Sequence, residues 1–169
     1  MLIIFGGLPG TGKTTIAREL ARQIGAMHVR IDSIEQAIRD CKQVAAPLND
    51  EGYCVGYIIA QDNLRIGRTV VADSVNALQI TRDAWLKVGQ QAQVETIEIE
   101  VICSDSLEHR SRVERRSPDI FGLRLPSWEE VIAREYHPWN REHIVIDTAV
   151  TTVAQNVKIL QESLPIHAQ

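Results

Sequence analysis

Gly7-Leu8-Pro9-Gly10-Thr11-Gly12-Lys13-Thr14 fits the pattern G-x-x-x-x-G-K-[ST] at every fixed position. No other stretch constrains the fold as strongly, because a loop of this kind needs a strand before it and a helix after it. Both flanks meet that demand. Leu2-Ile3-Ile4-Phe5 is a short apolar run that reads as a buried strand. Thr14 to Ile24 reads as a helix, with Ile16, Ala17, Leu20, Ala21 and Ile24 at helical spacing.

The residue types dictate the chemistry. Gly7, Gly10 and Gly12 let the backbone curl so that successive N–H groups point at an anion. The helix N-terminus adds the positive end of its dipole. Lys13 supplies a mobile charge for the β- and γ-phosphates of a nucleotide, and the Thr14 hydroxyl is the expected Mg²⁺ ligand. The candidate nucleotide-binding set is therefore Gly7, Pro9, Gly10, Thr11, Gly12, Lys13, Thr14 and Thr15.

The chain has 169 residues, 44% of them hydrophobic, which suits one domain with a real core. Its formal charge is −4, and no block of like charge reads as a nucleic-acid tail. A large polyanion is not the default partner on that balance. The first strand follows Met1 directly, leaving no room for a signal peptide, and no apolar run is long enough to span a bilayer. Cys41, Cys54 and Cys103 are odd in number and scattered, so they read as reduced thiols, and a cytoplasmic protein is expected. The five histidines form no recognisable metal motif.

Strand and helix signals alternate along the rest of the chain. Strands are expected at Met27–Ile31, Thr69–Ala72 ending at Asp73, Glu95–Cys103 and His143–Ile146. Helices are expected from Asp32 or Ser33 to Arg39, and over Tyr53–Ile66, Ile80–Ala92, Ser106–Arg116 and Thr151–Leu164. A further helix is capped by a Ser127-x-x-Glu130 box. Ala45–Gly52 and Ser117–Ser127 read as loops. The alternation predicts an α/β fold, a five-stranded parallel sheet with helices on both faces. Ligands of such sheets sit at the carboxyl ends of the strands. The glycine-rich loop, Asp32 and Asp73 all fall there.

With these residues in view, the chain resembles the small P-loop kinases. These include polynucleotide kinase, chloramphenicol phosphotransferase, zeta toxin, the adenylylsulfate, shikimate and gluconate kinases, and a broad set of bacterial predicted kinases of the AAA family. The resemblance covers almost the whole chain. It rests on GLPGTGKTT at 7–15, VRIDSIEQAI at 29–38, VVADSVN at 70–76 and EHRSRVERR at 108–116.

The resemblance implies roles. In such kinases an aspartate just after the second strand faces the acceptor hydroxyl; Asp32 matches it, and would accept the proton. Its bland alternative is a helix cap. Asp73 matches a Walker-B-like carboxylate acting on Mg²⁺, against a capped turn. Ser74 follows it where ATP-hydrolysing motors usually carry glutamate, which favours transfer over hydrolysis. The arginine-rich segment matches a lid, spanning roughly 105–127, that closes over ATP. Arg112, Arg115 and Arg116 share a helix face, and Arg112 and Arg116 are the candidates for neutralising the transferring phosphate. The alternative is a solvated helix with Glu108–Arg112 and Arg110–Glu114 pairs. Thr148, after the fifth strand, matches the loop that runs along the adenine. Arg82 is a weaker candidate, either meeting an anionic substrate or lying on the surface. Tyr53, Tyr57 and Asn76 are candidates for the acceptor pocket, with Tyr57 at core spacing.

The expectation is one P-loop kinase domain over 1–169. It is an ATP- and Mg²⁺-dependent phosphotransferase acting on a hydroxyl of a small molecule, with Lys13, Asp32, Arg112 and Arg116 catalytic and Thr14 and Asp73 on the metal. The rivals are a 5′-hydroxyl polynucleotide kinase, which predicts a basic groove beside Asp32, and an ATP-binding switch or toxin-like module acting through a partner. Asn49, Asp50, Glu51 and Tyr53 suggest an acidic acceptor rim suited to a neutral or cationic acceptor.

Overall fold

The structure is a computed structural model and describes residues 1–42 and 49–165. Five parallel strands form one sheet in the order β2-β3-β1-β4-β5. They are β1 (Leu2–Gly6), β2 (Met27–Arg30), β3 (Val70–Asp73), β4 (Thr96–Ile102) and β5 (Ile144–Asp147). The helices are α1 (Lys13–Ile24), α2 (Ile31–Lys42), α3 (Glu51–Arg65), α4 (Gln79–Gln91), α5 (Ser106–Arg115), α6 (Trp128–Ile132) and α7 (Val153–Ser163). The α/β fold with a parallel sheet is as the alternation of signals predicts.

β1 lies at the centre, and all five of its residues are buried. That placement explains an apolar run without alternation, since a strand covered on both faces needs no polar side. Its side chains divide between two cores. Ile3 and Phe5 join Val71, Ile99 and Val101 beneath Ile16 and Leu20 of α1 and Val157 and Leu160 of α7. Leu2 and Ile4 join Val70 and Ala72 beneath Ala60 and Leu64 of α3 and Trp85 and Val88 of α4. Phe5 aligns with Asp73, and Asp73 with Arg30, so the carboxyl ends of three neighbouring strands finish level.

Element ends differ from the sequence pattern where local chemistry intervenes. The second helix begins at Ile31, so Asp32 lies in its first turn rather than capping it from outside. The loop expected over 45–52 lies outside the described residues up to 48, and Gly52 is already inside α3 behind Asp50. Ser127 and Glu130 form the expected capping box of α6. Thr152 and Gln155 form a second one at α7 that the sequence reading overlooked. Gly67 ends α3 as expected, at φ 82° with its N–H donating to the Leu64 carbonyl.

Candidate active site

The glycine-rich loop joins β1 to α1 and is braced from behind. Gly10 sits at φ 88°, and a Cβ there would collide with Val113 of α5. Gly7, at φ 137°, faces the Val101 carbonyl at a separation no Cβ would allow. Gly7 and Thr11 therefore shape the loop from within the protein, while Pro9, Gly10, Gly12, Lys13, Thr14 and Thr15 line the open cleft. The Thr11 hydroxyl donates to the Leu8 carbonyl at 2.9 Å. His109 Nε2 lies 2.9 Å from the Pro9 carbonyl, which only accepts, so this nitrogen carries the proton.

Lys13 Nζ donates to Asp73 Oδ1 at 2.7 Å, and both side chains are almost fully buried. The Thr14 hydroxyl lies 3.3 Å from the same oxygen, and His28 Nε2 lies 3.3 Å from Oδ2. Burial alone would raise the Asp73 pKa. The charge of Lys13 and the hydrogen bond from His28 outweigh that and hold the carboxyl well below the usual carboxylate range. Asp73 is thus an anion at neutral pH, hydrogen-bonded through both oxygens. Thr14 and Asp73 offer two oxygens and no closed cage. Among the described residues no three His, Cys, Asp or Glu side chains converge on a point. That sparse donor set fits Mg²⁺, which keeps several waters and takes the rest of its ligands from substrate phosphates.

A cleft of about 900 Å³ opens between the loop, the start of α2 and the segment after α5. Asp32 lines it with its side chain 43% exposed and Arg30 Nη2 3.6 Å away. Arg30, at the end of β2, donates through Nη1 and Nη2 to the two oxygens of Asp119 at 2.7 and 2.9 Å. Arg18 of α1 reaches Asp119 at 3.4 Å. The segment after α5 is therefore tied down across the cleft by one carboxylate on two arginines. Arg116 also lines the cleft, and its Nε is buried without a hydrogen-bond partner, as is the Nε of Arg30. Burial lowers the Arg116 pKa while Asp32 pulls it upward.

α5 presents one face to all of this. His109 and Arg112 fall at i and i+3 on the helix, and Arg116 follows as its C-cap in extended backbone. Arg112 donates from Nη1 to the Thr148 hydroxyl at 2.8 Å and from Nη2 to the Thr148 carbonyl at 3.0 Å. The Thr148 hydroxyl in turn lies 2.8 Å from the Thr11 carbonyl and 3.1 Å from that of Ile102. A second cavity of about 540 Å³ adjoins, between Gly12, Thr15, Arg112 and the segment from Thr148 to Val153. Both ion pairs of the solvated-helix reading also form, Arg112–Glu108 at 2.9 Å and Arg110–Glu114 at 2.7 Å. Arg115 is exposed and lines neither cavity.

Other expectations need correction. Arg82 is neither on the surface nor at the cleft. It is fully buried, donates to the His137 carbonyl at 2.8 Å and lies over the Trp139 ring. Tyr57 packs edge-on against Trp85 in the core. Asn76, at φ 48°, is buried and donates to the Phe5 carbonyl at 2.8 Å, leaving Tyr53 as the one of these three at the cleft wall. Among the described residues no acidic rim forms there: of Asn49, Asp50, Glu51 and Tyr53 only Tyr53 reaches the cleft, which eight cationic side chains and three carboxylates of the described residues line. Sequence reasoning missed Arg30, Arg39, His109, Asp119 and Arg134. Arg30 carried a usable signal, two residues before Asp32 at a strand end; the others depend on how distant segments fold together.

The family model for the AAA domain matches residues 2–134. The replication factor C large subunit of Pyrobaculum arsenaticum is 29% identical over 136 residues, 77% of this chain and 30% of that protein. An uncharacterized protein of Mycobacterium tuberculosis is 45% identical over 40 residues, 24% of this chain and 8% of that one. The chain thus spans less than a third of the length of these curated relatives. Among solved structures, the adenylylsulfate (APS) kinase of Mycobacterium tuberculosis, in complex with AMPPNP and APS, superposes with TM-score 0.72 at 16% identity, covering 95% of each chain. Chaetomium thermophilum Kti12, in complex with ADP-AlF3, gives TM-score 0.69 at 20% identity, covering 99% of this chain and 100% of its own. A gluconokinase of Sinorhizobium meliloti gives 0.62 at 18%, covering 95% and 93%. At such identities the likeness concerns the fold.

Proposed function

The chain belongs to the AAA domain family, and from that premise we propose that it is an ATP- and Mg²⁺-dependent kinase acting on a hydroxyl of a small-molecule acceptor. One observation carries the reading. Lys13, paired with the buried Asp73, stands with Thr14 and a half-exposed Asp32 on the wall of one cleft, under a segment rich in arginine. The domain extends over 1–169 with its lid at about 105–127, and a cytoplasmic setting suits its reduced cysteines. No helix among the described residues is long and apolar enough to cross a membrane.

The roles follow from position. Lys13 and the loop N–H groups hold the phosphates, with Pro9, Gly10, Thr11, Gly12 and Thr15 keeping the loop in shape. Mg²⁺, when bound by Thr14 and through Asp73, neutralises phosphate charge. Arg112 and Thr148 stand at the nucleoside side. Asp32 accepts the hydroxyl proton as the acceptor oxygen bonds to the γ-phosphorus and the β–γ bridge leaves with ADP. Arg116, free of any ion pair among the described residues, is better placed than Arg112 to meet charge on the transferring group. The test is transfer from γ-labelled ATP across nucleosides, sugars, aminoglycosides and 5′-hydroxyl oligonucleotides, with Asp32→Asn alongside. Label on one class, lost in Asp32→Asn with ATP binding intact, supports the reading. ATP binding without transfer to any acceptor overturns it in favour of a nucleotide switch acting through a partner. The basic cleft beside Asp32 is the observation that favours a second reading, a 5′-hydroxyl polynucleotide kinase.

A further inference from the structure

Eight cationic side chains line the cleft among the described residues, and most are paired: Lys13 with Asp73, Arg18 and Arg30 with Asp119, Arg112 with Glu108 and Arg124 with Glu130. Arg39 and Arg134 lie beyond Asp32, apart from the residues proposed to hold the nucleotide. Asp32, Glu35 and Arg39 fall at i, i+3 and i+7 on one face of α2, so Arg39 stands about 10 Å further along the helix axis. Arg39 Nη2 pairs with Glu35 Oε2 at 3.1 Å, and Arg134, from the far wall, lies within electrostatic reach of the same carboxylate. Arg134 has no carboxylate ion pair among the described residues. Glu35 thus steadies one guanidinium beside another while leaving both with free N–H groups, the arrangement that receives a tetrahedral oxyanion.

We propose that the acceptor is a small anion, a molecule that carries its own phosphate or sulfate group, which Arg39 and Arg134 hold while its hydroxyl faces Asp32. The inference rests on the phosphotransfer reading and narrows it. Both guanidinium groups act at Glu35, one helical turn beyond Asp32, which suits an anionic group and a reacting hydroxyl on one small molecule. Two observations favour a small anion over a nucleic-acid end. Asp119 ties the segment after α5 to Arg30 and Arg18 across the cleft, which narrows it on that side. The surface outside the cleft is more acidic than the overall charge indicates, which repels a long polyanion.

The experiment has two arms on the whole chain. In the first, γ-labelled ATP is offered with sugars against their monophosphates, nucleosides against their monophosphates, and 5′-hydroxyl oligonucleotides. The expected result is a kcat/KM at least tenfold higher for the anionic small molecule of a pair, a preference that falls about tenfold in Arg39→Gln and in Arg134→Gln. Arg22→Gln, on the outer face of α1, leaves the preference as it is. Equal use of the neutral member, or stronger use of the oligonucleotide, overturns the proposal. In the second arm, protein saturated with Mg²⁺ and AMPPNP is titrated with inorganic sulfate. Saturable binding, weakened about tenfold in both variants, is expected, with AMPPNP affinity serving as the check on folding. No binding, or binding that ignores both arginines, overturns the anion site. Sulfate binding without transfer to any acceptor supports the site while the kinase reading fails, so the two are told apart.

Discussion

Arg112 grips Thr148 through both terminal nitrogens of its guanidinium, one on the hydroxyl and one on the carbonyl. With Nε on Glu108 as well, no face of that guanidinium is left for the transferring phosphate. Arg116, which caps the C-terminal end of α5, has a buried Nε without a partner and lines the cleft.

The two arginines should therefore fail differently. Arg112→Ala removes charge-assisted bonds of about 1.5–3 kcal/mol and is expected to raise the KM for ATP roughly tenfold, with a smaller change in kcat. Arg116→Ala is expected to lower kcat about a hundredfold or more while ATP affinity holds. Steady-state kinetics paired with calorimetric ATP binding reads both, and a matched effect of the two variants on KM contradicts the division.

The Asp73 carboxyl, held low by Lys13 and His28 against the cost of its burial, links stability to acid. Its folded pKa lies below the unfolded value of about 3.9. The folded state thus takes up a proton less readily than the unfolded chain. The stability it contributes is present above about pH 4 and lost as pH falls below that. Asp73→Asn is expected to flatten the acid limb of urea-unfolding stability plotted against pH. A limb as steep as the parent's counts against the coupling.

Arg82 is buried against the Trp139 ring and the His137 carbonyl and does not line the cleft. Arg82→Ala is expected to cost about 3–5 kcal/mol of stability, through stranded backbone acceptors and a large cavity. Acceptor KM should stay unchanged at temperatures where the variant is folded. A raised acceptor KM with intact stability would restore the substrate-contacting role that its sequence position suggests.

Asp119 is 44% exposed, so its pairs with Arg30 and Arg18 contribute little to global stability, about 1 kcal/mol or less. Their effect is local. Asp119→Ala is expected to leave the unfolding midpoint nearly in place and to speed amide exchange across 117–125. Unchanged exchange there means the segment is held by other contacts.

The sheet was legible because its cause is local: apolar runs, turn residues and helical spacing repeat within ten or fifteen residues. The glycine-rich loop was legible for the same reason. The cleft was not. Asp119 and Arg30 meet across 89 residues of sequence, and His109 reaches Pro9 across 100. No spacing rule predicts such pairs. Arg82 misled because its place on α4 gives its height along the helix but not whether its side chain turns inward. The acidic rim does not follow from Asn49, Asp50 and Glu51 being neighbours in sequence, because the described wall of the cleft is assembled chiefly from α1, β2, α2, α5 and the segment up to Arg134.

α5 has a consequence for order of binding. His109 touches the phosphate loop, Arg112 the segment beside the second cavity, and Arg116 the cleft with Asp32. The helix and the residue that caps its end therefore share their position among three places that two different ligands would occupy. Whatever tilt one ligand favours in the helix, the other must accommodate. By thermodynamic necessity the debt runs equally both ways: if filling the nucleotide cavity sharpens the hold on the acceptor tenfold, the acceptor sharpens the hold on the nucleotide by the same factor.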